Sequence, residues 1–133
     1  MADRPFPIDF STLELGPKPN QFLVLPDGFD AKAEAHHTSK VYEGKDAAAL
    51  LAAFRAIGLE APRTELVRET DTQIELCQKS ALMKFPDFIT AEAVTVEGGA
   101  ALCIYSRSKV GYSDLGVNAK RVTGWLDALD SAL

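Results

Sequence analysis

Apolar residues recur at three- and four-residue spacing in two stretches of the chain and alternate with polar residues in several others. After Asp46, the residues Leu50, Leu51, Phe54 and Ile57 share one helical stripe. An aspartate ahead of such a run offers a side-chain acceptor to the first unpaired amides, so Asp46 is the expected N-cap. Gly58 stands where a helix C-terminus favours left-handed backbone. A second stripe, Val122, Trp125, Leu126, Leu129 and Leu133, runs through 117–133 with Lys120, Asp127 and Asp130 away from it, which predicts a closing amphipathic helix. Between the two helices, alternation predicts strands at 63–69, 73–79, 88–97 and 100–108, with Asp71 and Gly98–Gly99 at turns. The glycine pair is read as a tight hairpin whose positive φ values glycine adopts without steric cost. One more strand, at 38–43, leads into the first helix.

These elements make an α+β fold: a single antiparallel β-sheet of about five strands packed against two helices, in the order β-α-β-β-β-β-α. Five of the seven prolines fall in the first thirty-five residues, where only 21–25 reads as a short strand. Residues 1–35 are therefore expected to form an extended, irregular segment packing on the domain, and 36–133 a single α+β domain. At 133 residues and 47% hydrophobic, the chain has enough apolar surface for one core and too little length for a second domain. The link 80–87 contains Pro86 and is read as a bend. Its Leu82, Met83 and Phe85, followed by Phe88, are expected to fill the core or to close over a pocket between sheet and helix.

Charge narrows the function classes. A net charge of −5 disfavours general nucleic-acid binding. The excess is uneven: residues 101–133 carry Arg107, Lys109, Lys120 and Arg121 against Asp114, Asp127 and Asp130, a net +1 that leaves −6 for the rest. No stretch approaches the roughly eighteen apolar residues that cross a bilayer, and Met1-Ala2-Asp3-Arg4-Pro5 is not a secretion signal, so a soluble chain is expected. Cys77 and Cys103 lack C-x-x-C spacing and are read as buried free thiols, with a disulfide open only if their strands are neighbours. His36 and His37 are adjacent, so in extended chain their rings point to opposite sides. Asp27-Gly28-Phe29-Asp30 lacks the ligand pattern of a calcium loop. No metal and no cofactor are expected.

The densest polar string is 105–121, at a strand-to-helix junction. With Asn118 as the cap of the last helix, Lys120 and Arg121 fall in its first turn, where the helix dipole disfavours cations by about 0.3–1 kcal/mol. A negative group is needed there. One reading is an internal network in which Asp114 or Asp87 pairs with Arg107 or Arg121 and pins the loop. The other is a ligand site that accepts an anion or carboxylate, with Ser80, Asp87, Arg107 and Tyr112 as a polar rim and Ser113, Asp114, Asn118 and Arg121 beside them. Gly111-x-Ser113-x-x-Gly116 is one residue too long for a nucleophile elbow, and both histidines precede the serine.

The blocks Lys79-Ser-Ala-Leu-Met-Lys-Phe-Pro-Asp87 and Tyr105-Ser-Arg-Ser-Lys-Val-Gly-Tyr-Ser-Asp-Leu-Gly-Val-Asn-Ala-Lys-Arg121 closely resemble the signature of the DUF1499 proteins, an uncharacterised bacterial and plastid family. Pro19-Asn20 and the segment 41–58 extend the resemblance over most of the chain. Position by position it points to Ser80 and Asp87 in the first block. In the second it points to Ser106, Arg107, Ser108, Gly111, Ser113, Asp114, Gly116, Asn118 and Arg121. It implies an envelope setting, since bacterial members often carry a hydrophobic N-terminal anchor. This chain has none, which leaves a periplasmic or membrane-associated location if an anchor was removed and a cytoplasmic one otherwise. Many members carry a cysteine after the Pro-Asn pair, where Gln21 and Phe22 stand here.

The resulting expectation is an envelope-associated domain, not an enzyme, that binds a small ligand, an anionic one included, or a partner protein at the corner 105–121. Two alternatives stand beside it: a hydrolase or transferase using Ser113 or Asp87/Asp114 with Arg107, and a purely structural module.

Overall fold

The computed structural model describes residues 4–111 and 113–133. The elements are β1 (Gln21–Pro26), β2 (His37–Ser39), β3 (Tyr42–Glu43), α1 (Ala47–Glu60), β4 (Thr64–Glu69), β5 (Gln73–Lys79), β6 (Pro86–Val96), β7 (Gly99–Ser108) and α2 (Val117–Ala132). Among the described residues the fold is α+β with two helices, as expected, but the sheet has seven strands rather than about five. Its order is β2-β1-β7-β6-β5-β4, with β3 also paired to β7, and it is antiparallel except for the parallel β1–β2 pair. The strand expected at 38–43 divides in two, and the register shows why. β1 covers only the Ile104–Arg107 half of the ten-residue β7, so the other half is open to Tyr42 and Glu43.

Two glycines, Gly58 and Gly99, carry different duties from those the sequence suggested, while Gly98 keeps its expected place in the hairpin turn. α1 starts as expected, with the Asp46 carboxylate accepting the Ala49 N–H at 2.7 Å, but it runs through Gly58 to Glu60. Gly58 is a contact point: a Cβ there would lie 2.5 Å from Leu76 Cδ1 and 3.2 Å from Trp125 Cζ3. At the hairpin, Val96 pairs with Gly99, so the turn is Glu97–Gly98 and Gly98 alone of the pair takes a positive φ, of 90°. Gly99 lies in β7 against β3, where a Cβ would come within 2.2 Å of the Tyr42 carbonyl oxygen.

The sheet is buried on both faces, which is why Ala100 to Ile104 are inaccessible without interruption. On one face, Leu50, Leu51 and Phe54 of α1 and Val122, Trp125, Leu126 and Leu129 of α2 pack on Val24, Ile74, Leu76, Ile89, Leu102 and Ile104. Phe54 meets Trp125 edge-on at 5.8 Å between centroids. On the other face Ile8 and Phe10, flanked by Leu13, Leu15 and Phe29, cover Leu23, Leu25 and Cys103. Cys77 and Cys103 are free and buried, on strands separated by β6.

The link between β5 and β6 bends as expected, but its Leu82, Met83 and Phe85 neither fill the core nor close over a pocket between sheet and helix. Ser80 N–H donates to the Phe85 carbonyl at 3.0 Å and its hydroxyl accepts the Phe85 N–H at 3.0 Å, while Lys84 takes a φ of 55°. This tight turn directs Leu82 and Met83 outward, 91% and 65% exposed, and Phe85 is half exposed. The helices already fill that face of the core. Among the described residues no helix is long and apolar enough to cross a membrane.

Candidate functional site

Successive side chains of a strand point to opposite faces, and this parity sorts the sequence candidates. Ser106 and Ser108 of β7, Asp87 of β6 and Gln78 of β5 point to the helix-covered face at the end of the sheet where α2 begins. Arg107, between the two serines, points to the other face.

On the helix side the network is built around Asn118 and Arg121. Gly116 is the residue preceding α2, with a φ of 83° and no side chain to cap it. Asn118 is therefore not the cap; it is the second helical residue, and Asp114 does the capping. The Asp114 carboxylate accepts the Gly116 N–H at 2.8 Å, the Asn118 N–H at 2.9 Å and the Asn118 amide at 2.6 Å. Burial alone would raise its pKa, but these donors outweigh burial and hold the carboxyl below its ordinary value. Asn118, fully buried, also donates to the Asn20 carbonyl at 3.1 Å and to Ser108 Oγ at 3.0 Å, and accepts from Ser106 Oγ at 2.6 Å. Arg121 completes the set: Nε donates to Gln78 Oε1, Nη1 to Asn118 Oδ1 at 2.7 Å and to Ser106 Oγ at 3.1 Å, and Nη2 to Asp87 Oδ2 at 2.6 Å. The Arg121 and Asp87 side chains are 7% and 14% exposed. The carboxylate that faces Arg121 is thus Asp87, while Asp114 satisfies the free amides. Because α2 begins at Val117, Arg121 is its fifth residue and lies beyond the first turn, and burial rather than the helix dipole makes the counter-charge necessary.

Four of the eight candidates, Asp87, Asp114, Asn118 and Arg121, meet here. Ser80 caps its own turn, and Ser113 Oγ accepts the Leu115 N–H at 3.3 Å. Tyr112 lies outside the described residues. Gln78 and the Asn20 carbonyl join the network without having been singled out as site residues. For Gln78 the signal was present, since a polar residue two places after Leu76 points to the same face.

Arg107 belongs to a second polar cluster that sequence reasoning missed. Glu75 is fully buried on the face covered by the N-terminal segment. It accepts Arg4 Nε at 2.9 Å and Arg68 Nε at 2.6 Å, with Arg107 Nη2 at 3.5 Å. Burial would raise the Glu75 pKa, but Arg4 and Arg68 outweigh it and hold the carboxyl below its ordinary value. Arg107 also donates to Thr90 Oγ1 at 2.8 Å and to the Tyr105 carbonyl at 3.0 Å. Its burial lowers its pKa to about 10, which leaves it charged at neutral pH. Arg4 stacks on Phe88, 3.4 Å from the ring centroid, and Gln73 exchanges two hydrogen bonds with the backbone of Ile8, at 2.6 and 2.9 Å. This cluster fastens the N-terminal segment to the sheet.

Neither cluster contains a buried side-chain nitrogen or oxygen without a partner among the described residues. Surface clefts lie elsewhere. One of about 280 Å³ opens at the same end of the sheet as the Arg121 network and is lined by Arg63, Thr64, Glu65, Cys77, Lys79 and Lys84. Arg63 is anchored there by its Nε, which donates to the Lys79 carbonyl at 2.9 Å. Another, of about 140 Å³, lies between β2 and α2 with Lys40, Tyr42 and Asp130 in its wall. Among the described residues no group of three or more His, Cys, Asp or Glu side chains is placed to hold a metal ion.

Compared with known proteins, the chain matches over residues 13–129 a family described as a protein of unknown function (DUF1499). No curated protein matches it. The matched span contains the whole Asn20–Asp87–Asn118–Arg121 network and both motif blocks that feed it, and the chain belongs to the DUF1499 family.

Proposed function

We propose that the chain is a binding domain, not a catalyst, and that it takes an anionic ligand at the end of the sheet where the two motif blocks meet. The observation that carries this reading is the cleft between β4, β5 and the 80–85 turn, where Arg63, Lys79 and Lys84 stand around one opening with Glu65 as the opposing charge. The Arg121 network supports the cleft indirectly. It joins β5, β6, β7 and α2, and so fixes the strand ends from which the surrounding loops leave. The envelope setting implied by the family fits this reading, because anionic groups are abundant there.

The corner side chains themselves are spent within the protein, so the ligand site moves from 105–121 to the surface beside it. The hydrolase reading finds no support at Ser113. Its hydroxyl serves a turn, Asp87 holds Arg121, Asp114 holds the start of α2, and Arg107 faces the other side of the sheet.

Thermal unfolding in inorganic phosphate and in glycerol 3-phosphate tests the proposal, with chloride as the ionic-strength control. At ten times Kd a ligand confined to the folded state adds about 1.4 kcal/mol, and Lys79→Glu/Lys84→Glu should abolish the shift. Equal melting temperatures in all three salts would refute anion binding.

A further inference from the structure

We propose that the ligand is the surface of an anionic phospholipid bilayer, and that the turn 80–85 and the described loop residues 109–111 and 113–116 dip into it. This rests on the anion-binding reading above and names its ligand. Nine large apolar residues are exposed among those described, and six of them sit on this one end: Leu82, Met83, Phe85, Val110, Leu115 and Val117. Their common position follows from the sheet. Asp87 pairs with Ser108, and Lys109 N–H donates to the Pro86 carbonyl at 3.1 Å, so the segment before β6 and the segment after β7 leave adjacent strand ends. Leu82 and Leu115 are 91% and 93% exposed, one on each loop. Side chains that stand this free of their own fold are suited to enter a fluid apolar phase, whereas a folded partner is usually met by a flatter patch.

Charge identifies the phase. Lys18, Arg63, Lys79, Lys84, Lys109 and Lys120 are exposed around these apolar tips, against exposed Glu60 and Glu65. Asp87 and Asp114 are already engaged by Arg121 and the start of α2. This end is therefore basic in a chain of net charge −5, so an anionic surface both attracts it and orients it with the remaining acidic surface turned away. Apolar tips ringed by lysines are complementary to acyl chains beneath phosphate headgroups, and the Arg63–Lys79–Lys84 cleft is placed to receive one such headgroup.

The test is co-sedimentation of the full chain with vesicles of equimolar phosphatidylglycerol and phosphatidylcholine, and with vesicles of phosphatidylcholine alone. Binding to the anionic vesicles is expected, about five-fold weaker for each lysine removed and weaker in high salt. Leu82→Ser/Leu115→Ser should weaken it about ten-fold or more while leaving the melting temperature unchanged, because both side chains are in solvent. Unchanged binding by that variant would overturn insertion. Stabilisation by glycerol 3-phosphate with no vesicle binding would overturn the bilayer as ligand and leave the anion site standing. No response to phosphate, glycerol 3-phosphate or either vesicle would overturn both. Retention on polyglutamate without vesicle binding would assign the surface to an acidic protein instead.

Discussion

Replacing Asp87 by asparagine removes the carboxylate that faces Arg121 and leaves a nearly isosteric amide. Loss of one partner from a buried ion pair costs about 3–5 kcal/mol, because the remaining charge is stranded away from water. Arg121 keeps three neutral acceptors, Gln78, Ser106 and Asn118, so the lower end, about 3 kcal/mol, applies. At roughly 2.1 cal/mol/K for each of 133 residues, the unfolding entropy is about 0.28 kcal/mol/K, and the melting temperature should fall by about 11 °C. Differential scanning calorimetry reads this directly. Arg121→Met should cost a similar amount, by leaving the Asp87 carboxylate without its counter-charge and Gln78 Oε1 without its donor, while Ser106 and Asn118 keep their mutual bond. Asp87→Leu/Arg121→Met should cost clearly less than the two single losses combined, because no charge is then stranded. A fall below about 3 °C for Asp87→Asn, or strict additivity in the cycle, would refute the ion pair as the clamp of this corner.

Glu75→Gln should destabilise by about 3–5 kcal/mol at neutral pH, since it leaves Arg4, Arg68 and Arg107 without their carboxylate. The folded-state pKa of Glu75 is depressed, so its contribution is present above the ordinary carboxylate range and lost as pH falls below that range. Melting temperatures of wild type and variant should therefore converge on acidification; a constant gap would contradict the assignment. Gly99→Ala should cost about 2–3 kcal/mol or more, because the Cβ collides with the Tyr42 backbone and must displace β3. Exchange of the Gly44 amide, which donates to the Gly98 carbonyl, would reveal that displacement. Cys103, pushed up to about 12 by burial and by Glu92 and fully inaccessible beneath the N-terminal segment, should resist iodoacetamide at pH 8 until the chain unfolds. Labelling of Cys103 within minutes in the native state would disprove its burial.

Local pattern and long-range placement separate what the sequence revealed from what it concealed. The stripe Leu50–Leu51–Phe54–Ile57 and the Asp46 cap are local, and α1 forms over them with the cap bond in place. That an arginine in this corner pairs with a carboxylate was also legible, though the reason is its burial and not the helix dipole, since α2 starts at Val117 and Arg121 lies beyond its first turn. Which carboxylate serves was not, because Asp87 and Arg121 meet only after β5, β6, β7 and α2 have assembled. Arg107 could have been separated from Ser106 and Ser108 by strand parity, but grouping by proximity along the chain put all three together. The polar series Gln73, Glu75, Thr90 and Arg107 reads as a solvated face, and only the N-terminal segment lying over it reveals a buried one. Gly58 misled for a related reason: a glycine near a helix end suggests termination, whereas here Trp125 and Leu76, far away in sequence, require the missing Cβ.

The strand made first in the chain sits beside the one made last. β1 draws its antiparallel partner from Arg107 to Ile104, eighty or more residues downstream. During synthesis, the apolar run Phe22-Leu23-Val24-Leu25 can meet β2 early, but its other edge must wait without a partner until β7 has emerged. Such a topology makes folding slow and late, and exposes a sticky strand in the interval. The prolines that flank that run, Pro17, Pro19 and Pro26, lack the amide protons that a neighbouring nascent chain would need to extend a stray pairing past its ends.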